Sequence, residues 1–450
     1  MTTPVTSEKT VCPKCSGSLT TDPRFTKWCP SCHWNALPQG APSTDGAGKT
    51  RGRLAQLDEA LEQRLYQQVT TQGAELRPRR GGAHLAVALL ALPVHLLTLA
   101  ALAGAVVLLR INVWTADIAA VLLLGAAWLG RPRLGSLSRL AAKRHRVTRE
   151  EAPRLWALAD GVADELGTRR ADVILVDGRF NASYARVGWR RRTVLILGLP
   201  LWVSLTEQER VALLAHEFGH GANGDSRRGV WLGAALGSLS EWVQLLRPSR
   251  IRTRAGVEAL AAMLAYALQT VLNAVAELYL RLLLRVTRLD SRRAEYLADS
   301  FTVRLAGTAG AAGLMEALRL ETAYETMIAQ RSMAAQRIPA QRRRAARGTA
   351  VQGADQEEKR PTEEQPDLWT SLAAYVRSIP PEERTRRVIA AQLGRESFDT
   401  THPPTHLRLA FVRGLPAGEP AVTLDEPSSV AIDRELAPVG RRIEAAVTDR

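Results

Sequence analysis

Two groups of residues in this 450-residue chain have the types and spacing for metal chemistry. The first is His216-Glu217-Phe218-Gly219-His220, an H-E-x-x-H pattern. On a helix, residues four apart lie on one face, one turn apart, so His216 and His220 can ligate one zinc ion. Glu217 projects beside them, where it can take a proton from water that zinc has made acidic. Zinc lowers the pKa of such a water from about 15.7 to about 7. A catalytic zinc needs a third protein ligand and an open fourth position. Downstream, Ser291-Arg-Arg-Ala-Glu-Tyr-Leu-Ala-Asp299 offers Glu295, with Asp299 one turn on. On position alone these acids serve equally as surface partners of Arg292 and Arg293, and both readings stay open. A third histidine close behind the motif is absent, since Arg227 and Arg228 follow Asp225.

The second group holds all four cysteines of the chain, in Cys12-Pro-Lys-Cys15 and Cys29-Pro-Ser-Cys32, separated by thirteen residues. Two C-x-x-C knuckles at this spacing read as a zinc ribbon with four thiolate ligands. Such a site is closed, hence structural, and its thiolates need a reducing compartment. His33 is a neighbour of the knuckle rather than a ligand. The expected metal content is two zinc ions, one catalytic and one structural.

Behind the zinc motif stand the elements that must position it. Thr206-x-x-Glu209 is a capping box that opens a helix running through His220. The β-branched runs Val173–Val176 and Thr193–Leu197 read as short buried strands, and Pro153–Leu166 as a helix. Leu54, Leu57, Leu61, Leu65 and Val69 recur at helical spacing and mark an amphipathic helix. The composition allows a core: 46% of residues are hydrophobic and 23% charged, which excludes a wholly disordered chain. Four cysteines exclude a disulfide-dense scaffold.

The net charge of +15 suits nucleic acid or an anionic membrane surface. The apolar runs decide for the membrane, and no nucleic-acid partner is expected. Gly81–Leu109 contains no Asp, Glu, Lys or Arg, and Ile111–Gly130 only Asp117. A bilayer core needs about 20 apolar residues in a helix, so these runs read as a transmembrane hairpin. Arg77, Arg79 and Arg80 precede it, and Arg131, Arg133, Arg139, Lys143 and Arg144 follow it. The positive-inside trend then puts the N-terminus and the zinc motif in the cytoplasm of a multi-pass cell-membrane protein. No secretory signal peptide is expected. Two further apolar runs, 229–246 and 255–284, carry Glu241, Glu258, Gln269, Asn273 and Glu277. They read either as spans or as membrane-associated, protein-packed helices. The expected division is a zinc ribbon over 1–40, linker and amphipathic helix over 41–82, membrane hairpin over 83–130 and peptidase domain over 145–415. A flexible insertion over 336–367 and a C-terminal tail over 416–450 complete it.

Taken together, Asn181-Ala182, H-E-F-G-H at 216–220, Asp225, E-Y-L-A-D at 295–299 and Thr401-His-Pro-Pro-Thr-His-Leu-Arg408 resemble the HtpX-type membrane zinc metallopeptidases. That family also includes the CAAX prenyl endopeptidases. The resemblance covers about residues 150–415. It implies a mainly α, zincin-like (gluzincin) domain with a small β-sheet, transmembrane helices and an endopeptidase acting on protein or peptide substrates, often in membrane-protein quality control. It makes Glu295 the third zinc ligand and Asp299 a residue that orients a ligand histidine. His402 and Arg408 match an H-P-x-x-x-x-R element. His402 is then a candidate oxyanion donor, and Arg408 either binds substrate or ties the element to the zinc helices. Asn181 lies on an expected edge strand, where an extended substrate can add. The cysteine module departs from the basic pattern, and its partner is unknown. Two other readings remain: a CAAX-type prenyl protease, and a catalytically silent membrane scaffold that recruits partners through the ribbon. The intact Glu217 speaks against the second.

Overall fold

In the computed structural model, residues 11–37, 53–77, 82–111, 113–131, 136–188, 190–223, 225–249, 257–333, 367–394 and 402–448 are described. The molecule is mostly helical, with one small mixed sheet. Helix α1 (Arg53–Gln72) precedes the apolar pair α2 (Gly82–Leu109) and α3 (Trp114–Gly130). The short α4 (Leu137–Ala141) leads into β1 (His145–Val147), α5 (Pro153–Glu165), β2 (Val173–Asp177), β3 (Ala182–Val187) and β4 (Arg192–Gly198). Then come α6 (Leu199–Val203), α7 (Glu207–Ala222), α8 (Asp225–Leu245) and the long α9 (Val257–Ala317). Residues 321–333 form α10. They are followed by α11 (Leu368–Arg377), α12 (Pro381–Leu393), α13 (Thr405–Gly414) and α14 (Glu426–Thr448).

The sheet order is β1-β2-β4-β3, with β2 and β4 parallel and the outer pairs antiparallel. β2 is buried at every residue and β4 at all but its first, as their unbroken apolar sequences require. That leaves β3 as an edge strand beside α7, where Tyr184 and Phe218 bring their ring centroids to 5.4 Å. α7 starts at the capping box. The Thr206 side chain accepts from the backbone of Glu209, and Glu209 Oε2 accepts from Thr206 N–H at 2.8 Å.

Among the described residues, two helices are long and apolar enough to cross a membrane: α2 over Ala88–Leu109, and α9 in a stretch beginning at Val257. α3 is apolar over Trp114–Trp128 but shorter. Their outer faces leave Leu97, Val107, Leu122, Met263, Leu268 and Leu278 exposed, a surface too large and apolar for water. α8 packs between them. Ala91 and Val94 of α2, Ala235 and Leu239 of α8 and Leu283 of α9 form one buried cluster. Asn273, one of the polar residues on the α9 stripe, donates to Val243 O of α8 at 2.7 Å. The stripe therefore faces protein at that point.

The C-terminal segment corrects an expectation. Residues 416–450 were expected as a tail, yet α14 buries Ile432, Leu436, Val439 and Ile443 in the main core. Glu435 accepts from the N–H groups of Arg154 and Leu155 at 3.1 and 3.2 Å, capping α5. Trp369 Nε1 donates to Gly440 O at 2.9 Å. The apolar spacing of α14 was in the sequence, but no partner face identified it. The expected insertion over 336–367 falls almost wholly outside the described residues, as do residues 41–52 of the expected linker and 38–40 of the expected ribbon.

Candidate metal centres

The zinc motif and the downstream acids meet where α7 crosses α9. Gly219 permits that crossing: a Cβ there would lie 3.3 Å from Ala298 Cα and 3.2 Å from the Phe301 ring. Asn223, at the C-terminal end of α7, locks it by donating to Ala294 O at 3.2 Å. The consequence is a cluster in which one ligand atom from each of His216, His220 and Glu295 lies within 4.8 Å of the others. His216 Nε2 is 3.5 Å from Glu295 Oε2, and His220 Nε2 is 3.5 Å from Glu295 Oε1. Zinc bonds of about 2.0–2.2 Å to nitrogen and oxygen place tetrahedral ligands at about this separation. Glu295 is 5% exposed, and its Oε2 is buried without a hydrogen bond. A buried carboxylate oxygen left in that state is costly, and a cation removes the cost. The donor set therefore fits a divalent metal with nitrogen and carboxylate preference. Glu217, also buried, stands beside His216 on the same helix.

A second layer holds the first. Arg408 of α13 is buried and grips Asp299, Nε to Oδ2 at 2.9 Å and Nη2 to Oδ1 at 2.6 Å. Asp299 Oδ1 lies 3.3 Å from His216 Nδ1, which turns Nε2 of that ring toward Glu295. Burial would lower the His216 pKa, but the neighbouring carboxylates of Asp299 and Glu295 outweigh it and raise it to about 9. Ligand histidines must be neutral, so metal binding here competes with protonation.

Three expectations are modified by this geometry. Arg408, expected either to bind substrate or to tie its element to the zinc helices, is buried against Asp299, Glu295 and His216. Its place is that of the tie between α13 and the zinc helices. His402, expected as an oxyanion donor, has Nδ1 2.7 Å from Glu295 Oε2, off the hydrogen-bonding direction, with a side chain 43% exposed. Asn181 sits exposed just ahead of β3, and its side chain accepts from Ala182 N–H at 2.8 Å. Its Oδ1 is thus engaged by the adjoining backbone. The side chain of Asp225 and residue Thr401 lie outside the described residues.

The four cysteines form a separate cluster. Cys12 Sγ is 3.6 Å from Cys32 Sγ, and Cys15 Sγ is 3.5 Å from Cys29 Sγ. A tetrahedron with zinc–sulfur bonds of about 2.3 Å has edges of roughly 3.8 Å, so the set is compatible with a zinc ribbon. The two knuckles repeat one another. Ser16 N–H donates to Cys12 O and His33 N–H to Cys29 O, at 3.0 and 2.9 Å. Ser16 and His33 both take left-handed φ, 59° and 58°. The Cys32 N–H aimed at the Cys29 sulfur is the largest influence on that thiol. With Cys15 and Ser31 it lowers the pKa to about 6 against burial, favouring the thiolate. The module rests on the rest of the chain. Arg24 donates to Ser378 Oγ and O at 2.9 Å each, and Arg386 of α12 donates to Ala36 O at 2.8 Å.

Sequence reasoning missed several supports, among them Asn223 and the buried Arg210. Arg210 leaves α7 to donate to Asp433 Oδ2 at 3.0 Å and Ser429 Oγ at 2.8 Å on α14. The helical phase of Arg210, buried on a helix that starts at a cap, was the one signal available.

A cluster of potential metal ligands thus lies at a helix crossing, beside apolar helices. Residues 149–415, more than half of the chain, match the model of peptidase family M48, and the chain belongs to that family. It is similar to protease HtpX of Pseudomonas putida (strain W619), 29% identical over 228 residues, covering 49% of this chain and 67% of that protein.

Proposed function

We propose that the protein is a zinc-dependent endopeptidase that cuts peptide bonds of protein substrates at a membrane surface, in the service of membrane-protein quality control. The observation that carries this reading is the buried, unbonded carboxylate oxygen of Glu295 facing His216. His216, His220 and Glu295 would hold the metal. When bound, zinc supplies Lewis-acid polarisation and makes water acidic at neutral pH. Glu217 acts as general base: it takes a proton from the attacking water and returns it to the leaving amine. The Arg408–Asp299 pair fixes the His216 ring. His402, partly exposed beside the ligand carboxylate, would donate to the developing oxyanion. The unpaired edge of β3, with Asn181 at its foot, offers an extended substrate backbone hydrogen bonds. The cysteine cluster would bind a second, structural zinc as a ribbon. The peptidase unit runs on through α14.

We further infer that α2, α3, α8 and α9 all cross the bilayer. Arg293, two residues before Glu295, bonds Arg77 O just ahead of α2 at 3.3 Å. α8 starts five residues after His220, so α2 and α8 both leave from the zinc end. The C-terminal ends of α2 and α8 then share the far side. α8 tolerates its polar residues because α2, α3 and α9 shield it. The positives flanking the α2–α3 pair put the zinc end in the cytoplasm, against the opposing pull of Arg247, Arg250, Arg252 and Arg254 between α8 and α9.

Metal analysis of the purified chain together with Glu217→Gln tests the reading. Two zinc ions are expected in both proteins, with hydrolysis reduced by roughly 10²–10⁴ in the variant. Near-normal hydrolysis by Glu217→Gln would refute the general-base role. Tags at residue 1 and near residue 200 should both resist external protease in intact cells, and digestion of either overturns the orientation.

A further inference from the structure

Helix α1 precedes the first apolar helix and lies outside the residues that match the peptidase family, 149–415. Its apolar face is nonetheless part of the metal centre's support. Leu65 and Val69 are buried in one cluster with Tyr296 and Leu297 of α9 and with Phe411 and Val412 of α13. Tyr296 follows Glu295 directly. Its ring packs on Tyr66 of α1 at 6.3 Å between centroids and edge-on against Phe411 at 5.2 Å. α1 therefore presses on both elements that build the centre: α9, which carries Glu295 and Asp299, and α13, which carries Arg408.

A polar clamp lies on the same face. Glu62 Oε2 meets Arg292 Nη1 at 2.9 Å, with side chains 14% and 9% exposed. At the end of α1, Gln72 Oε1 accepts from Arg293 Nη2 at 2.7 Å. Arg292 is three residues before Glu295, hence its neighbour on the helix surface. Burying the pair removes two charges from water, so it adds little net stability. What such a pair supplies is fixed geometry: it sets the rotation of α9 about its axis one turn ahead of the ligand. Packing alone does not need a charged pair at this place.

We propose that α1 positions the third metal ligand, with Glu62 as the positioning residue acting through Arg292. The inference rests on the zinc reading of His216, His220 and Glu295, and adds that an element from outside the matched region tunes that site. The cysteine cluster, held to the rest of the chain through Ser378 and α12 among others, supplies an internal reference.

The test uses the full-length chain in detergent, with zinc as probe and a chelator as competitor. Glu62→Gln keeps the shape and removes the charge. It should weaken zinc binding at the His/Glu site by about tenfold or more, the scale of losing a residue that orients a metal ligand, and leave the cysteine-bound zinc unchanged. Glu62→Asp should recover most of the loss, and so should the swap Glu62→Arg with Arg292→Glu. Affinity within about twofold of the parent in Glu62→Gln would overturn the proposal, as would equal loss at both zinc sites, which marks general destabilisation. If Glu62→Gln does not fold, the swap decides: parent-like zinc affinity supports the proposal, and weak binding or failure to fold overturns it. A parent protein with no zinc sensitive to His220→Ala would instead refute the underlying zinc reading.

Discussion

The two metal centres are built in opposite ways. The cysteine cluster draws all its ligands from 21 consecutive residues, 12–32, and two similar turns bring them together. Little else is needed, because each knuckle aims its own sulfurs through its own backbone. The His/Glu centre spans 216 to 295, and its parts come from α7 and α9 with α13, α1 and α14 behind them. A closed structural site can be local. An open one, which must hold three ligands and leave a fourth position to water and substrate, has to be held rigid by the fold around it. Damage at the first centre should stay there, and damage far from the second should reach it.

The strongest way to break this contrast is to remove one ligand from each. Glu295→Gln should lose one zinc and lower hydrolysis by more than about 10², since both the metal and the water it activates are affected. Cys12→Ser should also lose one zinc, yet retain hydrolysis within about tenfold. The readout is zinc content beside peptide cleavage for both variants. Equal loss of cleavage would show that the centres are coupled and not independent.

Next in size is the support of the open centre. Arg408→Met leaves the carboxylate of Asp299, 0% exposed, with His216 as its remaining partner at 3.3 Å. Breaking a buried pair in this way costs about 3–5 kcal/mol, so a clear drop in the unfolding midpoint is expected, with release of the site zinc before the cysteine-bound zinc. Retention of the parent midpoint would mean that Asp299 finds another partner and that the Arg408 tie is dispensable.

The contrast also explains what was readable in advance. Cys12, Cys15, Cys29 and Cys32 declare themselves by spacing, because the spacing is the structure. His216 and His220 do so as well, since one helical turn relates them, and Thr206 with Glu209 marks where that turn begins. The main strands followed from β-branched runs. Glu295 was different: its distance from His220 carries no geometric information, and position alone left it even with a surface acid beside Arg292 and Arg293. Only the combined pattern of motifs distinguished it. Glu62, Asn223 and Asp433 could not be seen at all. Each matters through a neighbour that only tertiary packing provides, across 230, 71 and 223 residues of chain. The same reasoning accounts for α14: its amphipathic face was in the sequence, but the groove that receives it is made of several other elements, α5, α7, α10 and α11 among them.

The smallest expected effect lies at the seam between the cysteine module and the rest of the chain. Arg386 donates to Ala36 O, four residues beyond the last cysteine, and also pairs with the buried Glu383. Arg386→Ala removes the hydrogen bond to the module, while Glu383 keeps Arg387 at 3.0 Å. The loss should be about 1–2 kcal/mol, the worth of a partly buried hydrogen bond to a charged group. Because the sulfur geometry is set inside the knuckles, zinc content should remain at the parent value. Because Arg386 is on α12 and not on α9 or α13, cleavage should change by no more than about twofold. Amide exchange over residues 29–36 should rise, since the module would open locally without unfolding the remainder. A variant that lost the cysteine-bound zinc would show that this cluster, too, depends on long-range support, and the contrast between the two centres would reduce to one of degree.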